Sequence, residues 1–214
     1  MKKKIITIAH TKGGVGKTTI AWNLAVYYSL QNTKVRLVDA DNNNVTTVLN
    51  GIRAKQDKPN IKTLDVVAAK TPADILTAVD SDAQIIIIDT AGFDTNLSRA
   101  AIEKSDMLIC PINDGINEVI GYRKFTAALK ATGMPKVHLL INNVHSRQKD
   151  FTEFFDISKG YSGTVWMRSI IRNLAAFKRS SYYGKGVWDF TNSHYKKAQE
   201  NIEALAKEIL EVVK

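Results

Sequence analysis

Short apolar runs rich in β-branched residues alternate along this chain with longer stretches whose apolar positions recur every three or four residues. The runs cover residues 5–9, 35–38, 64–68, 85–88, 107–110 and 137–141. Two of them, "IIIID" and "KVHLLIN", are almost continuously apolar, as strands covered on both faces are. Between the runs lie "GKTTIAWNLAVYYSLQ", then "TPADILTAV" with Thr71 as N-cap and Pro72 at the first helical position, then "INEVIGYRKFTAALKAT", closed by Gly133 and Pro135. A last stretch, "AQENIEALAKEILEVVK", sets Ile202, Leu205, Ile209 and Leu210 on one face, with Glu200, Glu203, Glu208 and Glu211 on the remainder. Strand–helix alternation predicts βαβ units and hence a three-layer, doubly wound α/β fold with a mostly parallel sheet. No repeat, low-complexity tract or linker interrupts it, so residues 1–214 read as one domain. Ligands on such sheets bind at the carboxyl ends of the strands, and the conspicuous polar motifs fall there.

Composition narrows the class without changing the fold. Thirty Lys and Arg against 21 Asp and Glu give a net charge of +9, which favours an anionic partner. The single cysteine, Cys110, rules out a disulfide or a cysteine-built metal cluster within one chain. The early apolar run "IITIA" is too short for a signal-peptide core, and no run reaches the length of a membrane span. A cytoplasmic protein is expected.

Three strand ends carry the candidate chemistry. After the first run comes "HTKGGVGKTT", in which Gly13, Gly14 and Gly16 let the backbone curl so that consecutive N–H groups face phosphate oxygens. The helix that follows adds its positive dipole end. Lys17 would bridge the β- and γ-phosphates of ATP, and the Thr18 hydroxyl would ligate Mg²⁺. The cradle spans Lys12, Gly13, Gly14, Val15, Gly16, Lys17, Thr18 and Thr19. In "QIIIIDTAG", Asp89 ends an apolar strand where a carboxylate can hold the Mg²⁺ water shell, and Gly92 allows close approach to the γ-phosphate. In "VRLVDADNNN", Asp39 and Asp41 occupy alternate positions and so point the same way on extended chain, here toward the nucleotide. One would orient the attacking water while the other holds the metal's shell or a lysine. Asn142 and Asn143, after the run at 137–141, are candidate neighbours of adenine.

"KGGVGKTT", with its additional Lys12, followed by "VDAD" and "IIIIDTAG", resembles the deviant Walker A family of ParA/MinD ATPases. The layout is similar to that of the short ParF-like plasmid-partition members, and the likeness covers most of the chain. It implies a P-loop NTPase fold, Mg²⁺-dependent ATP hydrolysis, and a homodimer formed on ATP in which Lys12 reaches the partner's phosphates. Two phosphate loops face to face bury much negative charge, which a lysine from each side neutralises only when ATP is present. The resemblance assigns hydrolysis to Asp41 together with Lys12 and Lys17, and gives Asp39 to the metal with Thr18 and Asp89. It also implies nonspecific binding of double-stranded DNA, a ParB-like adaptor that stimulates hydrolysis, and a nucleoid-associated location. Asn42-Asn43 stands where the family has Pro-Gln, so the ring that would stiffen this loop is missing. The first strand starts at the first residues, so no helix-turn-helix and no operator reading are expected.

Two further features bear on the branch. The last helix carries an acidic polar face, which anionic lipid repels, so it is expected on the sheet rather than on a membrane. From residue 168 to 197 the chain carries Arg168, Arg172, Lys178, Arg179, Lys185, Lys196 and Lys197 against one acid, Asp189, with Tyr182, Tyr183 and Trp188 between them. On one face of a dimer, Arg168, Arg172, Lys178, Arg179 and Lys185 would make a sequence-independent, salt-sensitive phosphate-binding stripe. The function expected is an ATPase that segregates or positions plasmid or chromosomal DNA. The alternatives are positioning of a protein complex, a conjugation accessory role, or a metabolic ligase or kinase acting on a small anionic substrate.

Overall fold

The structure, a computed structural model, describes residues 2–56, 61–92, 95–113, 116–131, 136–157 and 163–213. The strands are β1 (Lys4–His10), β2 (Val35–Ala40), β3 (Asp65–Ala68), β4 (Ile85–Gly92), β5 (Met107–Ile112), β6 (Val137–Val144) and β7 (Thr164–Arg172). The helices are α1 (Lys17–Leu30), α2 (Val45–Ala54), α3 (Pro72–Val79), α4 (Asn96–Glu103), α5 (Ile116–Ala131), α6 (Thr152–Ile157), α7 (Ala175–Tyr182) and α8 (Lys196–Val212). Among the described residues the strands form one sheet in the order β3-β2-β4-β1-β5-β6-β7, with all pairs parallel.

The period of two explains the continuous apolar runs. Ile85 and Ile87 join the core that α1 and α8 cover, whereas Ile86 and Ile88 join the one beneath α3 and α4. A third cluster, around Tyr122, Phe125 and Leu129, packs α5 on β5 and β6. The start of α3 follows the predicted signal. Thr71 accepts from the Asp74 amide at 3.2 Å, and the Asp74 carboxylate accepts from the Thr71 amide at 2.8 Å. The predicted stop at Gly133 and Pro135 lies outside the described residues.

The sheet has one strand more than the apolar runs predicted. β7 reads "TVWMRSIIR", an edge strand with Arg168 and Arg172 interleaved, so no continuous run marks it. Its pairing with β6 slips twice. Residues 167–169 bulge out between Trp166 and Ile170, and on β6 Asn143 bulges with φ 58°. The first bulge is filled from α8. Glu208, buried, accepts the amides of Arg168 at 2.7 Å and Ser169 at 2.8 Å. Glu208 therefore belongs to the packed side of α8, a correction to the uniformly acidic outer face expected. Ile202, Leu205 and Ile209 are fully buried as expected, and the Tyr28 hydroxyl donates to the Ala206 carbonyl at 2.8 Å. Among the described residues no helix is long and apolar enough to cross a membrane.

Candidate nucleotide site

The loop between β1 and α1 is built for close approach. Gly16 precedes α1 with φ 90°, and a Cβ there would stand 2.4 Å from Asn142 Nδ2. That amide donates to the Val15 carbonyl at 2.6 Å, so β6 braces the loop from below. No side chain caps α1, which leaves its first amides to whatever lies in the loop. Lys17 is buried, and its amine donates to the Lys12 carbonyl at 2.9 Å. The Lys12 amide in turn donates to His10 Nδ1 at 2.9 Å. Burial, then Lys17 and Lys12, push the His10 pKa down to about 4, so the ring is neutral and Nδ1 is an acceptor. Gly92 closes the loop's other flank, where a Cβ would stand 3.3 Å from the Thr11 carbonyl.

Asp89 lies within β4, which runs on to Gly92 past the apolar run, and is fully buried and in register with Asp39 on β2. Neither of its carboxylate oxygens accepts a hydrogen bond of ordinary geometry. Burial raises its pKa to about 7, opposed by the Thr18 hydroxyl, reinforced by Asp39, opposed by Lys17 and reinforced by Asp41. A buried carboxyl left in this state fits a divalent cation's water shell, whose charge would hold it ionised, with Thr18 beside it as a candidate ligand.

Of the two acids, Asp39 lies in β2 and Asp41 just beyond it. β2 ends at Ala40, so Asp41 already lies in the turn and the alternation of strand side chains no longer applies to it. Asp39 Oδ2 accepts from the Thr47 amide at 2.8 Å and the Thr47 hydroxyl at 2.9 Å. Asp39 thus caps the first turn of α2, whose N-cap residue Asn44 makes no capping bond with its side chain. Asp41 Oδ1 accepts from the Asn43 amide and side chain.

Beside the loop opens a cavity of about 430 Å³, walled by Gly14, Gly16, Thr18 and Thr19 on one side and by Val45, Leu49, Ile171, Leu174 and Phe177 on the other. Asn142 and Asn143 both line it, as expected of neighbours of a base. The Asn142 side-chain amide is already committed to Val15, whereas Asn143 stands exposed on its bulge.

A family model for the CobQ/CobB/MinD/ParA nucleotide binding domain matches residues 6–213. The chain belongs to this family. It is 26% identical over 108 residues to protein ParA of Rhizobium radiobacter, a match covering 50% of this chain and 48% of that protein. The chain thus matches only about half the length of that curated relative. Many solved structures share the fold, two of them being the following. One is a plasmid partition protein of Borrelia burgdorferi bound to AMPPNP (21% identity, TM-score 0.70, 97% of this chain and 100% of that one). The other is the septum site-determining protein MinD of Pyrococcus horikoshii with Mg-ADP (20% identity, TM-score 0.71, 97% and 96% covered).

Within this ParA/MinD-type domain the basic segment is divided. Arg168 lies outward on β7, paired with Glu211 and at 3.5 Å from Glu208. Arg172 lines the nucleotide cavity, with its guanidinium on the carbonyls of His145 (3.2 Å) and Gln148 (2.7 Å). Lys178 lines the cavity mouth and Arg179 is exposed beside it on α7. Lys185 is buried, with its amine over the Phe190 ring at 5.1 Å. The five cations therefore do not share one face, because neighbours in sequence are dispersed over a strand edge, a helix and a buried turn; Lys178 and Arg179 lie exposed together on α7. Sequence reasoning gave no role to His10 or Thr47, and read Asn43 only as a departure from Pro-Gln. Each acts by hydrogen bonds to backbone or to one carboxylate, which leave no spacing to read.

Proposed function

We propose that this chain is a nucleotide-switched ATPase of the ParA kind. It dimerises around Mg²⁺-ATP, holds DNA through phosphate contacts in that state, and releases it on hydrolysis. The observation that supports this is two lysines on one phosphate loop beside a buried carboxylate whose oxygens accept no hydrogen bond of ordinary geometry. Lys17, drawn under the loop, serves the β- and γ-phosphates of the chain's own nucleotide. Lys12, half-exposed at the head of the loop, serves those of a second copy. Thr18 and Asp89 hold Mg²⁺, which when bound neutralises phosphate charge. Asp41 orients the attacking water, and positioning with charge neutralisation carries the step without a strong base. Asn143 and the apolar wall take the adenine. Lys178 and Arg179 on α7 make the DNA contact, independent of sequence. The cargo is plasmid or chromosomal DNA and the adaptor a ParB-like protein, a reading supported by the likeness to the Borrelia burgdorferi protein named for plasmid partition.

The test is sedimentation of Asp41→Ala saturated with Mg²⁺-ATP. A dimer is expected, reverting to monomer with ADP or when Lys12→Ala is added; monomers throughout would refute the reading. DNA retention should follow the same order, ATP above ADP and no nucleotide.

A further inference from the structure

The acid proposed to orient the water is not left to find its own rotamer. Asp41 is the first residue beyond β2, half-buried, and its Oδ1 accepts from the Asn43 backbone amide at 2.9 Å and from Asn43 Nδ2 at 3.0 Å. The turn is closed by the Asn44 amide on the Asp41 carbonyl at 2.9 Å, and Asn44 takes φ 50° before α2 begins. Asparagine is short enough to return both donors to a carboxylate two residues back, which few side chains can do. With Oδ1 held twice, the carboxylate is fixed about its side-chain torsions and Oδ2 is left to accept from water. The loop thereby gains, from amide hydrogen bonds, the stiffness that its missing proline would have given. Asn43 itself is exposed, so the fold does not depend on packing its side chain.

We infer that Asn43 is a positioning residue for ATP hydrolysis, acting only through Asp41. This rests on the hydrolytic role proposed for Asp41. The experiment is single-turnover hydrolysis of radiolabelled Mg²⁺-ATP by the full chain, with ATP affinity and thermal midpoint measured on the same samples. Asn43→Ala, which keeps the backbone donor and loses the side-chain one, should slow hydrolysis by about five- to tenfold, the worth of one hydrogen bond. ATP affinity and thermal midpoint should stay at native values. Asn43→Ser, which restores a short donor, should recover part of the rate. Asp41→Ala should abolish hydrolysis, and adding Asn43→Ala to it should change nothing further. Native rates in Asn43→Ala, with Asp41→Ala inactive, would overturn the inference and leave the function reading intact. A fall in midpoint or affinity that accounts for the lost rate would overturn it as well, making Asn43 a structural residue. Full turnover by Asp41→Ala would overturn the role of Asp41 and the clamp with it.

Discussion

His10 shows how much of this site is decided one side chain at a time. Its ring faces Lys17 and Lys12, and burial with those two cations lowers its pKa from 6.5 to about 4. The unfolded chain therefore takes up this proton at a higher pH than the folded one. The stabilisation is whole above 6.5 and is lost as pH falls through about 4, a difference of about 3 kcal/mol. His10→Gln should flatten the acid side of a urea-unfolding series between pH 6.5 and 4; an unchanged slope would exclude His10 as the group responsible. The same residue scale separates what was legible. Lys17, Thr18 and Asp89 announce themselves, because a phosphate needs amides, a cation and a metal's carboxylate at strand ends. Thr47 and Asn43 do not, because a donor to a single carboxylate can come from many residue types and positions.

At the scale of elements, α8 and β7 depend on each other. The bulge in β7 leaves two amides facing outward at the sheet edge, and Glu208 accepts both. Burial alone would push the Glu208 carboxyl up, but the Ser169 hydroxyl, the two amides and Arg168 together hold it below its ordinary value of 4.5. This contribution is present above that value and is lost as pH falls through the folded-state value. Glu208→Ala should cost about 2–4 kcal/mol in chemical denaturation, since it strands two donors in a buried place, and should increase self-association by light scattering. Glu208→Gln, which keeps one acceptor, should lose less. The strand was hidden in sequence because Arg168 stands exposed and Arg172 closes the strand at the cavity, so polar residues break the apolar run of this half-buried edge. The helix was legible because its apolar face repeats over four turns.

Across the whole molecule, a buried ion pair ties the α2 region to the segment ahead of α8. Arg53 meets Asp189 at 2.5 and 3.0 Å, both side chains being almost wholly buried, and Arg53 Nε donates to the Lys62 carbonyl at 2.6 Å. Arg53→Ala should destabilise by about 3–5 kcal/mol, because it leaves buried Asp189 with the Gly186 amide but no cation, whereas joint replacement of the pair by Met and Leu should cost much less. A denaturation cycle over the four proteins checks this. The divided basic segment makes a second expectation. Lys178→Ala and Arg179→Ala should each lower the salt dependence of DNA binding by about one unit of slope, and Arg168→Ala should leave it unchanged. By itself the sequence determined the sheet-and-helix class, the phosphate loop and the strand-end carboxylates, because these follow from local periodicity and from residues a few positions apart. Only the tertiary structure decided which acid caps a helix and which cations reach the surface. Those outcomes turn on burial and hydrogen-bond partners brought together from distant parts of the chain.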